Sequence, residues 1–538
     1  MLPKGQLQYF HSPVDDALHP CAVCATDALD EPKPLILEVS PGALNDLPGA
    51  VAQTEEIAGI ASRHGRTCVV ARPTGRGPGS VYQNYGEVDV LEAIEHVAAN
   101  YPIDRNRITI TGASMGGAAV WYMVSHYPDL FAAAAPFCGY CDYRLWEKPG
   151  GTTFHMHEWE EYSWQARSAA LLVENLEHTP VWMVHGEWDR AVGGGVPVEH
   201  SRQMAAAMAA RGYRLTYTEV PRTGHSCREP RLWEEVILWL LEQRRTPTPE
   251  HVALAAWDLR HNRSYWVALE QLEHYGRRGH IDARLEGGER VLVISQGVRT
   301  FSLGPLEVAA PLAVVVDGQE LDAIDLRTPR TFRRHPGGAW EVGDFDLAGE
   351  KRPGSSGPLG DLFHEGTILV PGTVGAEEEK YFNNWVADNA RTYYSSRNGG
   401  VHRGGIMGES WVELPLVEDC ELGEDDFLNC NLLLYGTYTS NAVLARFQHR
   451  LGLEFSGDSI RLAGRTYAAA QLAIFAVFPH PENPRRYVAV HGGVSPDAIC
   501  WGTHLDMQLL PDYLVYAGGE VLDWGFWGND WGLQSENT

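Results

Sequence analysis

The sequence predicts an α/β protein: a mostly parallel sheet with helices on both faces, then a small β-rich domain, then a second, smaller α/β domain. Three observations predict it. Up to residue 245, short β-rich runs alternate with segments of helical spacing, the pattern of a parallel sheet covered on both sides. A Pro- and Thr-rich break, RRTPTPEH (244–251), ends that alternation. Beyond it come short strands between glycine turns, and beyond KRPGSSGPLGD (351–361) strands and helices alternate again. The expected domains are therefore 1–247, 252–350 and 360–538.

In the first domain, LILEVS (35–40) and TCVVARP (67–73) are β-rich, and VDVLEAIEHVAANY (88–101) has helical spacing. RITIT (107–111) is a β-branched run, followed by the helix-like GGAAVWYMVSHYP (116–128). AAAAPF, PVWMVHG (180–186) and RLTYTEVP (214–221) are buried-strand candidates, and RLWEEVILWLLEQRR (231–245) is a closing helix. Residues 142–175 interrupt the rhythm and read as a cap-like insertion. In the middle domain RVLVISQ, TFSLGP, LAVVVDGQEL and TFRR are strands, with Asp317-Gly318 as a hairpin signal. KRPGSSGPLGD reads as a flexible joint. TILVPGT, NLLLYGT and YVAVHGG supply strands to the last domain.

Composition excludes some functions. The formal net charge is −27, and such a surface repels phosphate backbones, so no nucleic-acid partner is expected. No run approaches the length of an apolar span, so no membrane partner is expected either. MLPKGQLQYFHSPVDD has no apolar leader region, which points to the cytoplasm. The nine cysteines then read as thiols. Two C-x-x-C pairs occur, Cys21/Cys24 and Cys138/Cys141. The first lies in a strand, where positions three apart face opposite ways, and neither pair offers the four ligands of a structural zinc. No metal and no organic cofactor is expected. Self-association is left open.

The chemistry centres on ITITGASMGG (108–117), where Gly112-x-Ser114-x-Gly116 falls between a strand and a helix. Small flanking residues permit a strained turn that lifts a serine above the sheet, and the helix aims its first amides at the same place. A serine needs a base, and the base needs a carboxylate. VWMVHGEWDRAV offers Asp189 just past a strand, and PRTGHSCREP offers His225 in the loop after the next one. Glu187 is a rival acid. His185 is a rival histidine, but it precedes the acid at the end of a strand and reads as structural.

The Met115 N–H is one oxyanion donor. The second is expected from Ser40-Pro41-Gly42; proline has no N–H, which leaves Gly42, Ala43 or Leu44, with Gly42 taken. The loop ARPTGRGPGSVYQNYGEVDV (71–90) is placed at the site's rim, with Tyr82 as a substrate contact. The insertion adds Trp146, His155 and Trp159, with Trp164 nearby in it, and Trp188 sits beside the acid. An aromatic cap suits an aromatic or sugar-bearing substrate.

Residues 100–139, NYPIDRNRITITGASMGGAAVWYMVSHYPDLFAAAAPFCG, resemble esterases of the polyhydroxybutyrate depolymerase, feruloyl esterase and acetyl xylan esterase type. They are also similar to the catalytic domains of prolyl-oligopeptidase-like peptidases. VHGEWDRAVGGGVPVEHSRQMAAAMAARG and YTEVPRTGHS resemble the acid and histidine loops of both groups. The resemblance covers roughly residues 8–245 and implies an α/β-hydrolase fold with Ser114, Asp189 and His225 as a triad. Ser40-Pro41-Gly42 departs from the usual His-Gly, and no propeller-like repeat precedes the catalytic region. The expected function is a serine esterase acting on a small-molecule or oligosaccharide ester, of feruloyl or acetyl type. A prolyl-oligopeptidase-like peptidase and a non-catalytic scaffold with a relic triad are the alternatives.

Overall fold

A computed structural model describes residues 3–26, 30–40, 46–77, 81–147, 157–190, 195–308, 311–395, 412 and 414–534. The first unit is an eight-stranded sheet. Its strands are β1 (Gly5–Ser12), β2 (Ala17–Ala25), β3 (Lys33–Glu38), β4 (Val69–Pro73), β5 (Ile103–Ala113), β6 (Ala133–Phe137), β7 (Val181–Gly186) and β8 (Leu215–Val220), in the order β1-β2-β4-β3-β5-β6-β7-β8. β2 is antiparallel to both its neighbours, and every later pairing is parallel. This is the α/β-hydrolase arrangement.

Helices cover both faces of the central strands, whose middle residues (35–37, 69–71, 108–110 and 133–135) are all buried, as in strands covered on two sides. Ile57 and Ala58 of α1 (Leu47–Arg63) pack on one face with Trp233 and Val236 of α6 (Pro230–Glu242). The other face takes Val90 and Ile94 of α2 (Tyr85–Asn100), Trp121 of α3 (Met115–His126) and Met204 of α5 (Glu199–Ala210). A short α4 (Glu161–Ala166) lies within the insertion. Cys21 and Cys24 of β2 enter opposite cores. β1 was not among the predicted runs; GQLQYFHS is a half-exposed edge strand with polar residues through it.

Two five-stranded sheets follow, spanning His251–Gly343 and enclosing Leu254, Leu269, Ile281, Phe301 and Phe332. Asp317 and Gly318, at φ 49° and 85°, turn the hairpin between Leu312–Val316 and Gln319–Ile324. The last unit is a six-stranded mixed sheet. Thr367–Pro371, Asn431–Tyr435 and Asn483–Gly493 run parallel, and the remaining strands are antiparallel additions. Val386 and Ala387 of α7 (Glu377–Ser395) pack on the face that also receives Val14 and Tyr85 from the first unit.

The segment 351–361 is not a free joint. Lys351 is fully buried, paired with the equally buried Asp512, and lies 4.1 Å from the Tyr275 ring centroid. Ser355, Ser356 and Asp361 are buried too. Pro and Gly in this stretch serve a bonded turn, which composition alone does not distinguish from a linker. Among the described residues no helix is long and apolar enough to cross a membrane.

Candidate active site

β5 passes into α3 through Ser114, which holds φ 61° and ψ −120° as the residue preceding the first helical turn. Side-chain-bearing residues rarely adopt this backbone, and it persists only where surroundings over-determine it. The surroundings are close. A Cβ at Gly112 would lie 2.0 Å from the Val39 carbonyl oxygen, and one at Gly116 would lie 1.9 Å from it. A Cβ at Gly117 would lie 2.5 Å from the Phe137 carbonyl oxygen. The glycines therefore let the ends of β3 and β6 press on the turn from both sides.

The His225 Nε2 lies 2.8 Å from Ser114 Oγ, and its Nδ1 lies 2.7 Å from Asp189 Oδ2. The structure thus brings together the three residues singled out from three separate loops. Asp189 is buried, and its other oxygen accepts the Val196 N–H at 3.1 Å. Gly195 leaves room for this, since a Cβ there would sit 2.1 Å from Asp189 Oδ1. Burial works against ionisation of Asp189, but hydrogen bonds from His185 and His225 outweigh it and hold the carboxyl down at about 2. The Asp189 hydrogen bond in turn raises His225 above an ordinary imidazole.

The two rivals have other partners. His185 is fully buried, with Nε2 3.1 Å from Asp189 Oδ2 and 3.0 Å from the Val196 carbonyl, and Nδ1 2.7 Å from Ser201 Oγ. It braces the acid from behind. The Glu187 carboxylate accepts the Arg222 N–H at 2.7 Å and so shapes the loop leading to His225.

That loop is anchored at its far end. Arg228 donates to Glu38 at 2.9 Å and lies 4.0 Å from a Trp233 ring centroid, while Arg72 pairs with the same buried carboxylate at 3.0 Å. Cys227, two residues past the histidine, has its Sγ 2.8 Å from Cys138 Sγ. Cys138 holds φ 47° just after β6 and donates to the His225 carbonyl at 3.4 Å. The Cys227 thiol and burial push the Cys138 thiol well up, so it stays protonated.

Met115 is the first residue of α3, and its N–H is among those a helix leaves without an internal acceptor. Gly42 lies outside the described residues. Tyr82 is not a rim residue: its ring is buried, its hydroxyl donates to the Ser40 carbonyl at 2.8 Å, and it supports the loop after β3 from inside. Trp159 stacks on His157 at 4.3 Å and packs against the last unit's core, so its ring is taken up in packing between units. Trp188 is exposed. The Trp146 side chain and His155 lie outside the described residues.

The fold also builds a wall around Met115. Tyr140, Tyr143, Trp164, Val81, Val196 and Leu509 cluster there. Trp164 was visible as an insertion aromatic. Leu509 arrives from the last unit, and no local pattern marks it. The Sγ of Cys138, an Asp189 oxygen and a His225 nitrogen lie within 4.8 Å of one another, the spacing of metal ligands. Asp189 Oδ2 and His225 Nδ1 already satisfy each other, so a metal there would have to break the pair.

Comparison with known proteins places these features among hydrolases. Residues 79–241 match the prolyl oligopeptidase family. An uncharacterized secreted protein of Arthroderma benhamiae is 34% identical over 125 residues, which are 22% of this chain and 12% of that protein. Poly(3-hydroxyalkanoate) depolymerase C of Paucimonas lemoignei is 36% identical over 63 residues, 12% of this chain and 15% of the depolymerase. The chain therefore spans only about an eighth of the length of the curated relatives it matches. A thermostable esterase of known structure is 25% identical, with a TM-score of 0.35 over 45% of this chain and 64% of the esterase.

Proposed function

We propose that this chain, a serine hydrolase of the α/β-hydrolase superfamily, cleaves carboxylic esters with Ser114 as nucleophile, His225 as base and Asp189 as its orienting acid. The observation that carries the reading is the continuous contact from Ser114 Oγ through His225 to Asp189, at 2.8 and 2.7 Å. Ser114 attacks the ester carbonyl as His225 Nε2 takes its proton. Asp189 stabilises the imidazolium, and the Met115 N–H donates to the tetrahedral oxyanion. His225 returns the proton to the leaving alcohol, and water then releases the acyl group by the same steps reversed. An aromatic or carbohydrate-linked acyl ester is the substrate class we favour, supported by the aromatic wall around Met115. The formed contacts and strained serine argue against a relic.

The match to the prolyl oligopeptidase family supports a second reading, a peptidase. Nitrophenyl esters, methyl ferulate and a prolyl anilide, assayed on wild type and Ser114→Ala, separate the two. Ester turnover that falls at least about 10⁴-fold in the variant is expected, with a fluorophosphonate labelling only the wild type. Anilide turnover without ester turnover selects the peptidase. An inert, unlabelled wild type rejects both.

A further inference from the structure

We infer that Cys138 and Cys227 are a redox-modification site: a small-molecule disulfide oxidises them to a bridge that ties the histidine loop to the end of β6. Three observations carry this. The two Sγ atoms stand 2.8 Å apart across 89 positions of chain, inside the contact distance of non-bonded sulfurs but longer than a disulfide's about 2.05 Å. The backbone of Cys138 is held at φ 47°, with its N–H on the Val184 carbonyl at 2.9 Å. That left-handed turn aims the thiol at the histidine loop at a conformational cost, and glycine would be the unstrained choice. Cys227 belongs to an irregular surface loop whose neighbour Ser226 is exposed, so local opening brings an otherwise buried thiol to solvent.

The chemistry balances with oxidised glutathione as the oxidant. A Cys227 thiolate attacks the glutathione disulfide, forming a mixed disulfide and releasing one glutathione. The Cys138 sulfur then displaces the second glutathione from Cys227, its proton passing to the departing glutathione sulfur as the bridge forms. Two protein thiols lose two protons and two electrons, and one oxidised glutathione becomes two reduced ones. Closing the remaining gap needs less than an ångström of motion with the serine–histidine contact already made. The bridge therefore preserves the triad and restrains the loop that carries its base. It also closes a long loop in the unfolded chain, the case in which a cross-link restricts that state most.

The test uses the full chain incubated with excess oxidised or reduced glutathione, followed by thiol blocking and non-reducing peptide mapping. A linked Cys138–Cys227 peptide in the oxidised sample alone is expected. With it should come a Tm rise of roughly 5 °C or more and fluorophosphonate labelling of Ser114 within about twofold of the reduced protein. Cys227→Ser should lose the linked peptide and the Tm rise together. Mapping needs no variant and no catalysis, so it stands whatever the substrate proves to be. Oxidised protein without the linked peptide, or with a lasting glutathione adduct at either cysteine, overturns the site. A linked peptide with lost Ser114 labelling overturns the claim that the bridge preserves the triad.

Discussion

Asp189 Oδ2 is shared by two imidazoles, His225 at 2.7 Å and His185 at 3.1 Å, and that sharing governs pH behaviour. His225 must be neutral to take the serine's proton, and Asp189 raises it above the ordinary 6.5. The expected outcome is a kcat/KM that rises with pH through an apparent pKa above 6.5. Stability moves differently. The raised His225 stabilises the fold fully below its unfolded value and loses that effect only as pH climbs through its folded one. Asp189, held near 2, stabilises above 3.8 and fades as pH falls toward 2. At pH 5 both contributions are intact while the base is protonated, so the enzyme should be silent yet folded and regain activity as pH is raised back toward the His225 value of about 10. Activity lost permanently at pH 5 would count against this assignment. The glycines make a second residue-scale case. Gly116→Ala places a methyl 1.9 Å from a backbone oxygen that cannot swing aside. A loss of about 1–3 kcal/mol in urea unfolding, with activity nearly abolished, is expected.

At the scale of elements, loops that carry reactive side chains were more legible than loops that support them. Ser114, Asp189 and His225 stand at strand ends, where apolar runs stop and polar or glycine residues begin, and chain order did the rest. Tyr82 shows the limit. An aromatic in a Gly-rich loop looks like a surface contact, and only three dimensions reveal that Gly75 leaves space for its ring: a Cβ there would sit 2.5 Å from it. The hydroxyl then holds the Ser40 carbonyl, at the approach to the loop expected to supply the second oxyanion donor. Edge strand β1 and buried segment 351–361 escaped for related reasons, since polar or Gly-rich composition is shared by exposed and by hydrogen-bonded backbone. Tyr82→Phe keeps the ring and deletes the hydroxyl that donates to the Ser40 carbonyl, a bond worth about 1 kcal/mol. Steady-state kinetics should show kcat lowered severalfold, up to about tenfold, with KM nearly unchanged; a selective rise in KM would return Tyr82 to the role of substrate contact.

Across the whole molecule, the three units are joined by a buried polar node that none of their separate sequence patterns announces. Glu87 of α2 accepts from Tyr122 at 2.5 Å and meets His261 of the middle unit at 3.0 Å, with His364 of the last unit 3.7 Å away. Asp258 takes the other side of His261 at 3.1 Å, and Arg260 pairs with Asp361 at 2.6 Å. Nearby, Gln508 bonds Asn84 at 2.6 Å, and its neighbour Leu509 joins the wall around Met115. The node thus holds the last unit where it completes the surroundings of the nucleophile. Its charges set a pH window. Burial alone would lower His261, but Glu87 and Asp258 outweigh it and push it up to about 10. Burial likewise resists ionisation of Glu87, and His261 reverses that, holding it well below 4.5. The His261 contribution is full below 6.5 and disappears as pH rises toward 10, whereas the Glu87 contribution is full above 4.5 and disappears as pH falls below it. The node is therefore strongest between about pH 4.5 and 6.5. Removing one partner of a buried ion pair costs about 3–5 kcal/mol, so His261→Gln should lower Tm most inside that window, with the gap to wild type narrowing on both sides. Thermal melts of the two proteins from pH 3 to 10 measure that gap directly, and a gap that stays constant across the series would mean that His261 acts by packing and not by charge.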